Sequence, residues 1–166
     1  MDVNERAIEE WKRRTDGFDR VRTILERTRE RRSAAEIAES AFVSEKTARK
    51  HLVRLVDLNR AVTVRDGRTT RYKRDANTHV IDRISELRRE QSRETLVDGI
   101  QRMRGDIETF RERYDVEDAE ELAIQLEPGD SVEAWMDLSE WQTKERHLAL
   151  AQAALSFGRA ADRIEA

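Results

Sequence analysis

The residues best placed to do chemistry in this sequence are cations. Lys46, Lys50 and Arg54 recur at i, i+4 and i+8, with Arg49 and Val53 beside them. At 100° per residue a helix gathers them on one face, while Ala48, Leu52, Leu55 and Val56 fall on the other. Ammonium and guanidinium groups in a row opposite an apolar face suit phosphates and base edges. Other chemistries find little to work with. His51, His79 and His147 are widely separated, without HxxxH or HExxH spacing, and the chain has no cysteine. No metal site and no cofactor is therefore expected. There is no Gly-rich phosphate loop, no G-x-S-x-G, and no carboxylate pair that stands out from 35 acids. Catalysis is not expected. His51 lies at the edge of the apolar face, where a structural role is the simpler one. Trp135, Met136 and Trp141 could line a small-ligand pocket, but a core cluster explains them more simply, and no effector is identified.

The elements that must position the cations are legible around them. Ser33 and Glu36 have the S-x-x-E spacing of a capping box, opening a short helix near Ala34–Ser40 that buries Ile37, Ala38 and Ala41. A tight connection through Phe42 and Val43 leads to Ser44, the N-cap of a second helix over about Glu45–Leu58. Asn59 is placed to take the left-handed conformation after it. Two strand-prone runs, AVTVR and TTRYK, flank Asp66-Gly67-Arg68, a strong hairpin signal. Helix, turn, helix and basic hairpin together predict a winged helix-turn-helix with a two-stranded wing.

The run Ser44-x-x-Thr47-Ala48-x-x-His51-Leu52-x-x-Leu55-Val56, then Ala61-Val62 and a wing ending Arg71-Tyr72, resembles the ArsR/MarR-type winged-helix transcription regulators of bacteria and archaea. It looks closest to small DNA-binding proteins of halophilic archaea. The resemblance covers about Phe18 to Arg74. Family members often have Gly-Leu or Gly-Val where this chain has Asn59-Arg60, and the metal-sensing members carry Cys or His clusters that are missing here.

Charge is divided along the chain in the way a DNA reader with a solvated tail would show. Residues 1–74 hold 20 Lys and Arg against 13 Asp and Glu, a net of +7; residues 75–166 hold 12 against 22, a net of −10. Arginine outnumbers lysine 27 to 5, which suggests a GC-rich, salt-adapted source. In high salt, phosphate contacts weaken, so base and shape readout must contribute more. No apolar run approaches 18 residues and no signal peptide is evident, so a cytoplasmic protein without membrane insertion is expected.

Residues 1–17 read as a charged lead-in, with Ile8 and Trp11 free to pack on the winged domain or on a partner. Phe18, Val21, Ile24 and Leu25 mark a helix running to about Arg29 behind Ile37 and Leu52, with Arg29, Arg31 and Arg32 at its end, suited either to the helix dipole or to DNA contact. Residues 18–77 form the expected DNA-binding domain. After a polar link at Asp75–Thr78, residues 78–166 form a helical region. Val80, Ile81, Ile84 and Leu87 begin it, and the pattern slips across Arg88–Glu94. The slip implies either one helix with a discontinuity or two helices joined near Ser92. Leu96, Ile100, Met103, Ile107, Phe110 and Tyr114 then make an a/d seam. Gly99 and Gly105 weaken that helix unless a neighbour packs closely. A short helix follows within Asp115–Glu127, Pro128-Gly129 breaks the chain, and Asp130 with Glu133 starts a turn. Ser139-x-x-Gln142 opens a last helix with Trp141, Leu148, Leu155 and many alanines on one face. Its partner is the Leu96–Tyr114 seam, in the same chain or in a second one. With only 37% hydrophobic residues, a homodimer sharing this seam is the expectation.

The function expected from these readings is sequence-specific binding of double-stranded DNA by a homodimeric transcription regulator. Ser44, Lys46, Thr47, Arg49 and Lys50 would face the major groove, Arg54 phosphate, and Arg65, Arg68, Arg71 and Lys73 on the wing phosphates or the adjacent minor groove. Two other readings stay open: a protein-interaction adaptor on a winged-helix scaffold, and an accessory factor of plasmid or viral replication or recombination.

Overall fold

The computed structural model describes residues 3–166, mainly helical with one small antiparallel sheet. It divides into two units, one ending at Ile81 and the other spanning Asp82–Ala166. The division falls four residues later than the sequence boundary at 77/78, inside a helix.

The first unit contains α1 (Val3–Arg14), α2 (Gly17–Arg27), β1 (Arg32–Ser33), α3 (Ala34–Ala41), α4 (Glu45–Asp57), β2 (Ala61–Asp66) and β3 (Thr69–Arg74). Most of the expected lead-in is therefore helix. α1 buries none of its residues, yet Trp11 meets Phe42 edge to face at 6.1 Å. Between α1 and α2, Asp16 caps α2 by accepting the Asp19 N–H at 2.8 Å. Val21 and Leu25 pack with Ile37, Ala38, Ala41, Ala48, Leu52 and Leu55, and the hairpin adds Ala61 and Tyr72. Helix α2 stops at Arg27 rather than Arg29, so Arg29 and Arg31 lie beyond its last turn. Arg32 is not at a helix end at all. It sits in β1 and donates to Glu36 O at 2.9 Å and Ser40 Oγ at 2.8 Å, bracing α3.

Where a two-stranded wing was expected, the chain forms a three-stranded antiparallel sheet. β1 pairs with β3, and β3 with β2, in the order β1-β3-β2. Two residues suffice for β1 because Ser33 is both its last residue and the N-cap of α3. Gly67, with φ 60°, occupies the first position of the two-residue loop, a conformation glycine adopts without penalty. Asp75–Thr78 is likewise more than a link. Asp75 accepts the Thr78 N–H at 2.7 Å at the start of α5 (Ala76–Glu90).

The second unit holds the rest of α5, with α6 (Arg93–Tyr114), α7 (Ala119–Gln125) and α8 (Val132–Ile164). The pattern slip is a true break: Ser92 caps α6, accepting the Thr95 N–H at 3.1 Å. At the other end of the unit, the expected separate turn and last helix are one helix of 33 residues capped by Ser131. Ser139 is interior to it, and its carbonyl accepts the Thr143 hydroxyl at 2.9 Å.

The seam is closed within the chain. Phe110 stacks on Trp141, and both share a core with Ile107, Leu122 and Leu138. Leu96 and Ile100 pack with Ile84, Ala151 and Ala154, with Met103, Leu148 and Leu155 at the margin. Tyr114 lies at the edge, its hydroxyl donating to Asp137 at 2.7 Å. The residues expected to form a dimer interface are thus the unit's own core. No close neighbour offsets the cost of Gly99 and Gly105 among the described residues: a Cβ at either would meet nothing within 4 Å.

Candidate nucleic-acid interface

The cation row depends first on how α3 and α4 begin and end. The Ser33–Glu36 capping box is complete: Glu36 N–H donates to Ser33 Oγ at 3.2 Å, and Ser33 N–H to the Glu36 carboxylate at 2.7 Å. These bonds hold the Glu36 carboxyl below its ordinary pKa, with Arg71 and Arg32 adding to the effect. α3 ends with Phe42 left-handed at φ 53°, its N–H bonding Glu39 O at 3.3 Å while Val43 N–H reaches Ala38 O at 3.1 Å. Arg20 reinforces this turn by donating to Ala41 O at 3.0 Å.

The turn delivers Ser44, whose hydroxyl accepts the Thr47 N–H at 3.1 Å and lies 2.8 Å from the Thr47 hydroxyl. At the other end Asn59 is left-handed at φ 56°, and Arg60 N–H closes onto Leu55 O at 2.8 Å. Between the caps, Ala48, Leu52 and Leu55 are fully buried. That fixes the helix's rotation and leaves Lys46, Arg49, Lys50, Val53 and Arg54 exposed on the far side.

The predicted site residues differ in how free their charges are. Lys46 and Lys50 make no ion pair among the described residues. Arg49 is paired with Glu45 one turn earlier, so its charge is partly answered. Arg54 lies over the Phe18 ring at 4.9 Å, and Phe18 also meets His51 at 5.5 Å. His51 is thereby packed against an aromatic side chain. Sequence reasoning placed Phe18 in the core stripe and missed that it supports two side chains of α4; no local signal marks a contact with residues as far along the chain as His51 and Arg54.

The hairpin splits its four predicted cations. Pairing of Thr63 with Tyr72 and Arg65 with Thr70 puts Arg65 on the face that carries Tyr72. Val64 opposite Arg71 and Val62 opposite Lys73 put those cations on the other face. Arg68 is at the exposed tip. Arg71 is engaged twice, with Asp66 at 3.2 Å and with Glu36 at 3.4 Å. It ties the hairpin to α3. Arg65, Arg68 and Lys73 make no ion pair among the described residues.

No group of three or more potential metal ligands occurs among the described residues, and no helix is long and apolar enough to cross a membrane. None of the curated proteins and none of the solved structures compared with the chain matches it. A protein-family model does match, over residues 15–157, and the chain belongs to that family, a family of unknown function designated DUF7342.

Proposed function

We propose that this protein binds double-stranded DNA and regulates transcription, with α3 and α4 as a helix-turn-helix, α4 as its recognition helix and the β2–β3 hairpin as its wing. The observation that carries the reading is the rotation of α4: one face is fully buried, and Lys46, Lys50, Arg54 and Val53 stand exposed together on the other. Lys46, Thr47 and Lys50 would meet base edges, and Val53 supplies an apolar contact of the kind a thymine methyl takes. Arg54, Arg65, Arg68 and Lys73 would meet phosphates. Homodimerisation belongs to the proposal because two recognition helices on one duplex raise specificity. Its contact must lie outside the seam, and the exposed Val132, Trp135 and Met136 of α8 are the candidates.

The test is fluorescence anisotropy with a labelled random duplex across a salt series, followed by genome-wide mapping of bound DNA. A linear fall of log affinity with log salt is expected, lost when Lys46, Lys50 and Arg54 are replaced together. Affinity that is absent, or unmoved by salt, overturns it.

One observation favours a protein-interaction adaptor as the second reading. Residues 115–143 contain ten acids and no Lys or Arg, and within that stretch Ile124, Val132 and Met136 are strongly exposed. An acidic surface with unburied apolar side chains suits a basic amphipathic partner.

A further inference from the structure

We infer that the trough between α5, α6 and α8 is a binding site for a small organic anion with a single apolar body. The trough lies wholly within the second unit and has a volume of about 610 Å³, within the range of roughly 300–1,000 Å³ that small-molecule sites occupy. Its floor is apolar, from Leu87, Leu96, Met103 and Leu150.

Gly99 is the second observation. It lines the trough from the middle of α6, and a Cβ there would touch nothing within 4 Å. A helix-interior glycine costs about 1 kcal/mol relative to alanine, and packing within the chain gives no reason for it here. As the wall of a ligand site it has one, because the missing side chain lets a ligand lie against the α6 backbone.

The charges at the rim choose the sign of the ligand. Asp106 is held by Lys144 at 2.8 Å, and Arg83 is paired with Glu86. Glu90 stands at the chain reversal, flanked in sequence by Arg88, Arg89 and Arg93. Arg102 has no ion pair among the described residues, and it lines the trough beside Gly99 and Met103 in the middle of α6, whereas Glu90 lies at the end of α5. A guanidinium fork is the group that takes a carboxylate in two parallel hydrogen bonds. From Thr95 to Arg102 the axis of α6 advances about 10 Å, the length of floor available to the apolar body.

The site stands independently of the DNA-binding reading, and its test uses the full chain. Isothermal titration calorimetry is run with decanoate, below its micellar concentration, and with decyltrimethylammonium, which has the same tail and the opposite charge. One decanoate per chain is expected, bound at least about tenfold more tightly than the cation, a difference of about 1.4 kcal/mol. Arg102→Glu should remove that preference. Gly99→Leu should abolish binding of both by filling the trough; circular dichroism should show its helix content retained, since leucine is the better helix former. Ile164→Gln, on the exposed end of α8, should change nothing. Equal binding of the two amphiphiles, no binding of decanoate, or full binding by a folded Gly99→Leu variant overturns the inference. So does a loss of binding in Ile164→Gln, which would place the amphiphile on the exposed surface.

Discussion

Glu36 and Arg71 join the helical and the strand parts of the first unit: the carboxylate that completes the α3 capping box also accepts the Arg71 guanidinium at 3.4 Å. One side chain thereby fixes the start of α3 and the attitude of the hairpin. Glu36 is held below its ordinary pKa, first by the Ser33 N–H, then by the Ser33 hydroxyl, with Arg71 and Arg32 adding to it. A carboxyl whose folded pKa is depressed contributes stability above its unfolded pKa, and that contribution is lost as pH falls through the folded value. Acid titration of the melting temperature should therefore show a steeper loss below the ordinary glutamate range in the wild type than in Glu36→Gln. Parallel profiles would remove Glu36 from the account.

The exposed face of α4 should separate specific from general affinity. Once a target site is mapped, Lys50→Ala is expected to weaken it by about 1–3 kcal/mol while affecting random duplex less. Arg68→Ala should weaken both alike and reduce the salt slope by about one. Arg71→Ala, whose charge is engaged by Glu36 and Asp66, should act on stability more than on the slope. Anisotropy on both duplexes, with thermal melts of each variant, distinguishes the three. Equal loss ratios in all of them would refute the division of roles.

Phe110 and Trp141, stacked with centroids 5.7 Å apart, anchor the second unit. Phe110→Ala should cost about 3–5 kcal/mol in denaturant unfolding. Trp141→Phe should cost much less, because the buried indole N–H has no hydrogen-bond partner among the described residues and its removal offsets part of the lost volume. A Trp141→Phe loss as large as that of Phe110→Ala would mean the indole nitrogen is satisfied in solution.

Oligomeric state and seam packing should respond to different substitutions. Ile100→Asp places a charge in the intrachain core, at a cost of several kcal/mol, and should unfold the second unit rather than release intact monomers. Met136→Glu on exposed α8 should keep the helix content in circular dichroism and shift the mass in light scattering from dimer to monomer. A monomeric wild type, or a dimer indifferent to Met136→Glu, removes α8 as the contact.

What the sequence determined by itself was local. Capping at Ser33 and Ser44, the reversal at Asn59 and the hairpin at Gly67 depend on side-chain-to-backbone bonds within a few residues or on the conformational freedom of one residue, so they can be read from the chain. The two faces of α4 were legible for the same reason, since periodicity alone assigns them. Tertiary structure decided everything that required knowing a distant neighbour. Strand β1 exists because Arg32 and Ser33 lie beside Tyr72 and Arg71, nearly 40 residues on. Pairing register, not composition, put Arg65 and Arg71 on opposite faces of the hairpin. The seam's periodicity announced that it must be buried but carried no information about by which chain. The stack of Phe110 on Trp141 and the ion pair of Lys144 with Asp106 answer that within one copy. Burial of an apolar stripe is satisfied equally by a helix of the same chain or of another, and only the fold chooses.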